Sequence, residues 1–211
     1  RDQKSQGTCY AQTVACVKEW QEKKDSGFDE HMSPQFFYNN RSNNHDDDRR
    51  NDEGMFGRDV MKLMSVVGIC RESNYPYGKV EKRYDIPQSC FEEAKGHRIK
   101  SYARVETVEA LKESLFKNGP ALIAFPTYNT GPYFWRKLSG MSQQGGHAVT
   151  VVGYNEVGFI IRNSWGERWG NQGYTTYPFY DWGDHWEVWT AVDIHGDDIY
   201  IPTPKECCVI M

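Results

Sequence analysis

The chain has 211 residues, 14% of them aromatic and 26% charged, which describes a globular protein of one domain or two interlocked lobes. Such a length buries roughly 70% of the unfolded surface, so the core needs no disulfides. Lys and Arg number 25 against 29 Asp and Glu, a net charge of −4 without a basic block, and no apolar run approaches the roughly 18 residues of a membrane span. Nucleic acid is therefore not an expected partner, and no transmembrane span is expected.

Taken in chain order, the first half reads as helical. Thr8 is placed to cap a helix running to about residue 23, with Tyr10, Val14 and Val17 on one stripe and Lys18, Glu22 and Lys23 elsewhere. Ser33-Pro34 reads as an N-cap followed by proline at the first helical position. Residues 39–53 form one strongly polar block, read as a solvated loop. His45, Asp46, Asp47 and Asp48 within it have metal-ligating chemistry, but sequence neighbours seldom converge on one ion, so no metal site is expected. Asn40-Arg41-Ser42 fits a glycosylation sequon, which matters only in a secreted protein. Residues 58–67 carry Val60, Leu63, Met64 and Val67 at helical spacing, stopped by Gly68. Residues 107–118 repeat the pattern with Val108, Leu111 and Leu115, closed by Gly119-Pro120.

After Pro120 the signals turn to strands, at 121–125, 147–154, 159–165, 173–177 and 186–192. Helices first and strands later predict an α+β protein, a helical lobe against a sheet lobe. Six cysteines stand at 9, 16, 70, 90, 207 and 208, and none belongs to a CxxC pair, so a structural zinc is not expected. Cys16, Cys70 and Cys90 read as buried thiols whose pairing the sequence leaves open.

Four residues carry a chemical case. Cys9 opens the first helix, where the positive end of the helix dipole favours a thiolate. His147 follows Gly145-Gly146 at a strand start, where glycines let another group approach closely. Asn163 sits in Asn-Ser-Trp-Gly at the end of the next apolar strand. Gln3 offers a side-chain amide able to donate to a developing oxyanion. Each alone has a plain structural explanation; together, in this order, they do not.

The segments Asp2-Gln3, Gln6-Gly7-Thr8-Cys9-Tyr10-Ala11, Gly145-Gly146-His147-Ala148-Val149, Asn163-Ser164-Trp165-Gly166 and 169–174 resemble the papain/cathepsin family of cysteine peptidases. The spacing agrees, since His147 falls within the roughly 130–150 residues expected beyond the nucleophile and Asn163 just past them. The resemblance implies a papain-like two-lobe α+β fold, a helical lobe against an antiparallel sheet or barrel, with the active site in the cleft between. The peptidase domain would span 1–195, about 1–119 mainly helical and 120–195 mainly strands, followed by a tail at 196–211. It further implies Cys9 as nucleophile, His147 as its ion-pair partner and proton donor, Asn163 as orienter and Trp165 as shield. Gln3 would help form the oxyanion hole. Gly54, Met55, Gly146 and Ala148 would bind substrate, with Met55 bordering an apolar pocket. Polypeptide is the implied substrate, cleaved by an endopeptidase without metal or cofactor. The alternatives are exopeptidase, ligase or deamidase chemistry on the same residues, or a papain-fold interaction protein that does not cleave.

Departures from the family pattern matter. Gln6 and approximately Asp52 stand where secreted and lysosomal members carry a disulfide, and Tyr10 replaces the Trp after the nucleophile. The chain opens at Arg1 with no initiator Met, so a processed or trimmed N-terminus is expected. Cys208-Val209-Ile210-Met211 fits a prenylation motif, with Cys207 as a second acylation site, and a lipidated tail would reach a membrane surface. The tail and the missing disulfide together favour the cytosol, or tethering on its side of a membrane, over secretion.

Overall fold

The protein is described by a computed structural model covering residues 1–41, 54–78, 81–194 and 209–210. His45, the three aspartates beside it, the sequon's Ser42, Asp52, Cys207 and Cys208 lie outside the described residues. Among the described residues there are five α-helices, α1 (Cys9–Ser26), α2 (Pro34–Asn39), α3 (Gly57–Val66), α4 (Gln88–Ala94) and α5 (Val108–Asn118). The strands are β1 (Ile99–Arg104), β2 (Ala121–Thr127), β3 (Gly145–Tyr154), β4 (Gly158–Arg162), β5 (Tyr174–Pro178), β6 (Glu187–Asp193) and a two-residue β7 (Val209–Ile210). Among the described residues they form one antiparallel sheet in the order β5-β4-β3-β2-β6-β1-β7, which is open and not closed into a barrel. The α+β class expected from the sequence is the one observed.

Of the two expected caps, the one at Ser33 forms, and Thr107 caps a further helix. Ser33 accepts from the Phe36 amide at 3.0 Å with Pro34 at the helix start, and Thr107 accepts from the Ala110 amide at 3.1 Å. Thr8 does not cap α1; its hydroxyl pairs with that of Tyr77 at 2.8 Å instead. Gly27 ends α1 in the left-handed conformation, its amide reaching Lys23 O at 3.0 Å.

The apolar stripe expected on α1 is also incomplete as a description. Gln12, Thr13, Lys18, Gln21 and Glu22 are buried along with Tyr10, Val14 and Val17, so residues 9–18 of the helix are covered on every side, whereas Trp20 and residues 23–26 are exposed. Several of its polar groups find partners inside the protein. The ammonium of Lys18 sits between Glu22, at 2.8 Å, and Asp193, and Gln21 donates to Ala191 O at 3.1 Å.

The sheet divides two cores by the period-two alternation of its strands. On β2, Leu122 and Ala124 face α1, α2 and α3, whereas Ala121, Ile123 and Phe125 face α5 and an aromatic cluster. Both faces are buried, which is why residues 121–125 read as an unbroken apolar run. β1 falls inside the half of the sequence that reads as helical, and α5 packs on β2, β3 and β6.

Candidate active site

The site is assembled from the first residues of the chain, the start of α1, the start of β3 and the turn after β4. β3 is held in register between β2 and β4, with His147 opposite Phe125. At the end of β4 the chain turns through Asn163 and Ser164, and residues 1–3 lie against that turn. Gln3 N donates to Ser164 O at 2.8 Å, and Asp2 forms a bridge with Trp165.

His147 is buried, 4% exposed, and its Nε2 lies 2.7 Å from Asn163 Oδ1. A carbonyl oxygen can only accept, so Nε2 carries the proton and Nδ1 is left as the basic nitrogen. Asn163 Oδ1 also accepts from the Ser164 amide at 2.7 Å, which fixes the amide's orientation. Trp165 stacks on the imidazole at 4.3 Å between centroids and 22° between planes, and Phe134 meets it edge-on at 5.3 Å. Burial pushes His147 down to about 4, opposed only by its bond to Asn163.

Gln3 is buried and held at both ends of its amide. Ser164 Oγ donates to Oε1 at 2.6 Å, and Nε2 donates one proton to Gln6 O at 2.9 Å. The –NH2 group carries a second proton. Hydrogen bonds thus run continuously from Gln3 through Ser164 and Asn163 to His147. Cys9 is at the first position of α1, 8% exposed and not in a disulfide, in the same core cluster as Ala148, the neighbour of His147 on β3.

The remaining expected site residues separate. Gly54 lies beside this loop, 3.7 Å from Gly7 O to where its Cβ would be, with φ at +81°. Its amide donates to the Tyr38 hydroxyl at 3.2 Å and is therefore committed within the protein. Met55 lines a groove of about 260 Å3 whose walls mix apolar Phe56, Leu63 and Val67 with charged Arg41, Asp59 and Lys62. Neither Cys9, His147, Asn163 nor Gln3 lines that groove. Gly146 is exposed, and the ring of Trp186 covers it so closely that a Cβ would come within 2.3 Å. Ala148, expected to line the cleft, is fully buried in the core against α1. Strand alternation points both residues to the α1 face, but only Gly146 is at the open end.

Three contributors had no role in the sequence reading. Ser164 stands inside the Asn-Ser-Trp-Gly motif, where its hydroxyl could have been matched to an amide partner. Phe134 belongs to the aromatic run Tyr133-Phe134-Trp135, pinned where Trp135 and Arg136 both donate to Asp181 Oδ2, at 2.9 and 2.8 Å. Tyr77 donates its hydroxyl to Gln3 O at 2.8 Å, and no local pattern announces that contact.

With this geometry in view, the comparisons with known proteins converge. Residues 1–179 match the papain family cysteine protease profile. An uncharacterized peptidase C1-like protein of Acanthamoeba polyphaga mimivirus is 30% identical over 84% of this chain and 63% of its own length. Cathepsin K of Mus musculus is 30% identical over 80% of this chain and 52% of its own length. Xylellain, a cysteine protease from Xylella fastidiosa, shares the fold with a TM-score of 0.79 at 25% identity, covering 92% of this chain and 82% of that one. A helical layer on an open antiparallel sheet, with cysteine at the helix start and histidine on the strand behind it, defines a thiol-peptidase architecture. The chain belongs to the papain family of cysteine proteases. It spans little more than half to about three-fifths of the length of the curated relatives it matches. No described helix is long and apolar enough to cross a membrane.

Proposed function

We propose that this protein hydrolyses peptide bonds as an endopeptidase, through Cys9, His147 and Asn163 with Gln3 in the oxyanion hole, and that residues 1–195 are the catalytic unit. The observation that carries the reading is the 2.7 Å bond from His147 Nε2 to Asn163 Oδ1, which leaves Nδ1 as the proton acceptor. Because burial pushes the lone imidazole down to about 4, an imidazolium exists at neutral pH only with a thiolate beside it. The two groups therefore ionise together, as a coupled pair.

In the reaction, the Cys9 thiolate attacks the peptide carbonyl carbon and the carbonyl oxygen takes up the negative charge. The second Nε2 proton of Gln3 and the Cys9 amide receive that oxyanion. His147 then gives its proton to the departing amine, leaving a thioester on Cys9. Water enters, His147 takes a proton from it, and hydrolysis of the thioester restores the pair. Asn163 keeps the ring in plane throughout, and Trp165 and Phe134 keep water from the His147–Asn163 bond. Gly146, roofed by Trp186, is the exposed rim residue beside the reacting centre, and Gly54 borders the loop that carries Cys9. Met55 remains a candidate for an apolar subsite that extends away from the nucleophile.

The test is labelling with an epoxide-type thiol inhibitor, read by intact mass and peptide mapping, with Cys9→Ala as control. Single-site modification at Cys9 is expected, with parallel cleavage of a peptide blocked at both ends. Labelling spread over other cysteines would overturn the assignment of the nucleophile. Cleavage confined to peptides with a free terminus would overturn endopeptidase activity.

A further inference from the structure

The mechanism leaves Cys70 and Cys90 without a role, yet the fold brings them together. Cys70 follows the turn that ends α3, and its carbonyl accepts from the Ser33 amide at 2.8 Å. Cys90 lies on α4 and points its thiol at Asn74 O, 3.8 Å away. Both residues are buried in the same core, 0% and 2% exposed, and Asn74, whose carbonyl the Cys90 thiol approaches, stands four residues after Cys70. Two further ties clamp α4 onto the segment after Cys70. Arg71 pairs with the Glu93 carboxylate, and Asn74 Nδ2 donates to Glu93 Oε2 at 2.6 Å.

We propose that Cys70 and Cys90 are a dithiol–disulfide pair, closed when the protein meets a low-molecular-weight disulfide such as oxidised glutathione. One protein thiolate attacks a sulfur of the small disulfide, expelling a thiolate and leaving a mixed disulfide. The second protein thiolate then attacks the protein sulfur of that adduct and expels the other half. Two protons leave the protein, one S–S bond forms in it, and the oxidant is reduced to two thiols. Burial and the neighbouring thiol raise Cys70 above the usual thiol range, so it is a poor opening nucleophile. Exchange therefore waits on local opening of α4, a seven-residue helix whose buried side chains are Cys90 and Ala94.

The pair sits at the base of a strap, residues 70–78, that reaches the active site. Ser33 Oγ donates to Tyr75 O at 2.5 Å, and Tyr77 OH joins Gln3 O and Thr8 Oγ1, each at 2.8 Å. Closing the disulfide anchors this strap beneath Gln3 and Cys9. That consequence rests on the proposed function; the cross-link itself does not.

The experiment equilibrates the full chain with reduced and oxidised glutathione at graded ratios, then alkylates, digests and maps it without reduction. A linked pair of peptides containing Cys70 and Cys90 is expected, with a melting temperature about 6–12 °C above that of the reduced protein. Both signals should vanish in Cys90→Ser and persist in Cys9→Ala, which keeps this inference separable from the assignment of the nucleophile. Recovery of both cysteines as alkylated thiols at the most oxidising ratio, or of glutathione adducts without the cross-link, would overturn it. If Cys90→Ser does not fold, mapping of the unsubstituted chain decides alone.

Discussion

Replacing Ser164 with Ala removes one hydroxyl and nothing else from the site. The Gln3 amide to Ser164 O bond, at 2.8 Å, is made by the backbone and survives. What is lost is the 2.6 Å donation to Gln3 Oε1 that holds the carboxamide from its far side. A buried neutral hydrogen bond is worth about 0.5–1.5 kcal/mol net, so about 2- to 13-fold should disappear from kcat, with KM little changed. Gln3→Ala removes the donor itself and should lower kcat by about 100- to 1000-fold. The two effects share one route. In the Gln3→Ala background, Ser164→Ala should therefore cost almost nothing further, a coupling measurable by steady-state kinetics on the four proteins of a double-mutant cycle. Additive losses would show that Ser164 does not act through Gln3, and an unchanged Gln3→Ala enzyme would remove Gln3 from the oxyanion hole.

Other expectations follow from the same contacts. In Cys9→Ala, the folded state should keep His147 neutral down to about pH 4, whereas the unfolded chain protonates it near 6.5. The unfolded state then binds more protons in that window, so stability should fall by about 3 kcal/mol as pH drops from 6.5 to 4. Urea melts of Cys9→Ala against Cys9→Ala/His147→Asn isolate that contribution, and parallel profiles would contradict it. Glu187 receives Tyr10 OH at 2.7 Å, Gly57 N at 3.1 Å and Trp189 Nε1 at 2.9 Å, tying α1 and α3 to β6. Glu187→Ala leaves those donors unmatched and should cost about 3 kcal/mol, seen as a melting temperature lower by about 6–12 °C. Lys18→Ala strands the carboxylates of Glu22 and Asp193 beside a buried helix and should destabilise by about 3–5 kcal/mol in chemical denaturation. A loss under 1 kcal/mol would mean that water reaches that end of α1.

The parts of the molecule legible in the sequence are those governed by local rules. Ser33 acts as the cap the sequence announces, because an N-cap needs only its own backbone two or three residues on. The strands after Pro120 announce themselves through β-branched and aromatic runs, and His147 and Asn163 through short motifs around them. Thr8 misleads because Tyr77, far along the chain, takes its hydroxyl. The all-round burial of the first part of α1 is hidden for the same reason. Lys18 and Glu22 look like a solvated face, and only Asp193 and His97, brought by distant segments, make them a buried one. β1, with Lys100, Ser101 and Arg104 among its residues, lacks the apolar density that marked β2. Ala148 was placed by motif at the cleft, whereas its depth along β3 decides that it packs against the helix. Ser164 and Phe134 act through side-chain geometry that spacing alone does not encode.

The burial of α1 on all sides between Cys9 and Lys18 has a consequence for how this chain can change. A helix with one free face can slip, gain a residue or bow outward, and the solvent absorbs the adjustment. Here a single inserted residue between Cys9 and Lys18 would rotate one end against the other by about 100°. Either the ammonium of Lys18 would turn into apolar packing, or the sulfur of Cys9 would turn away from β3. The helix therefore works as a fixed-length gauge between a charge lock at one end and the reactive sulfur at the other. Variation among descendants of this sequence should collect in the connections that enter and leave the helix, with its length held constant.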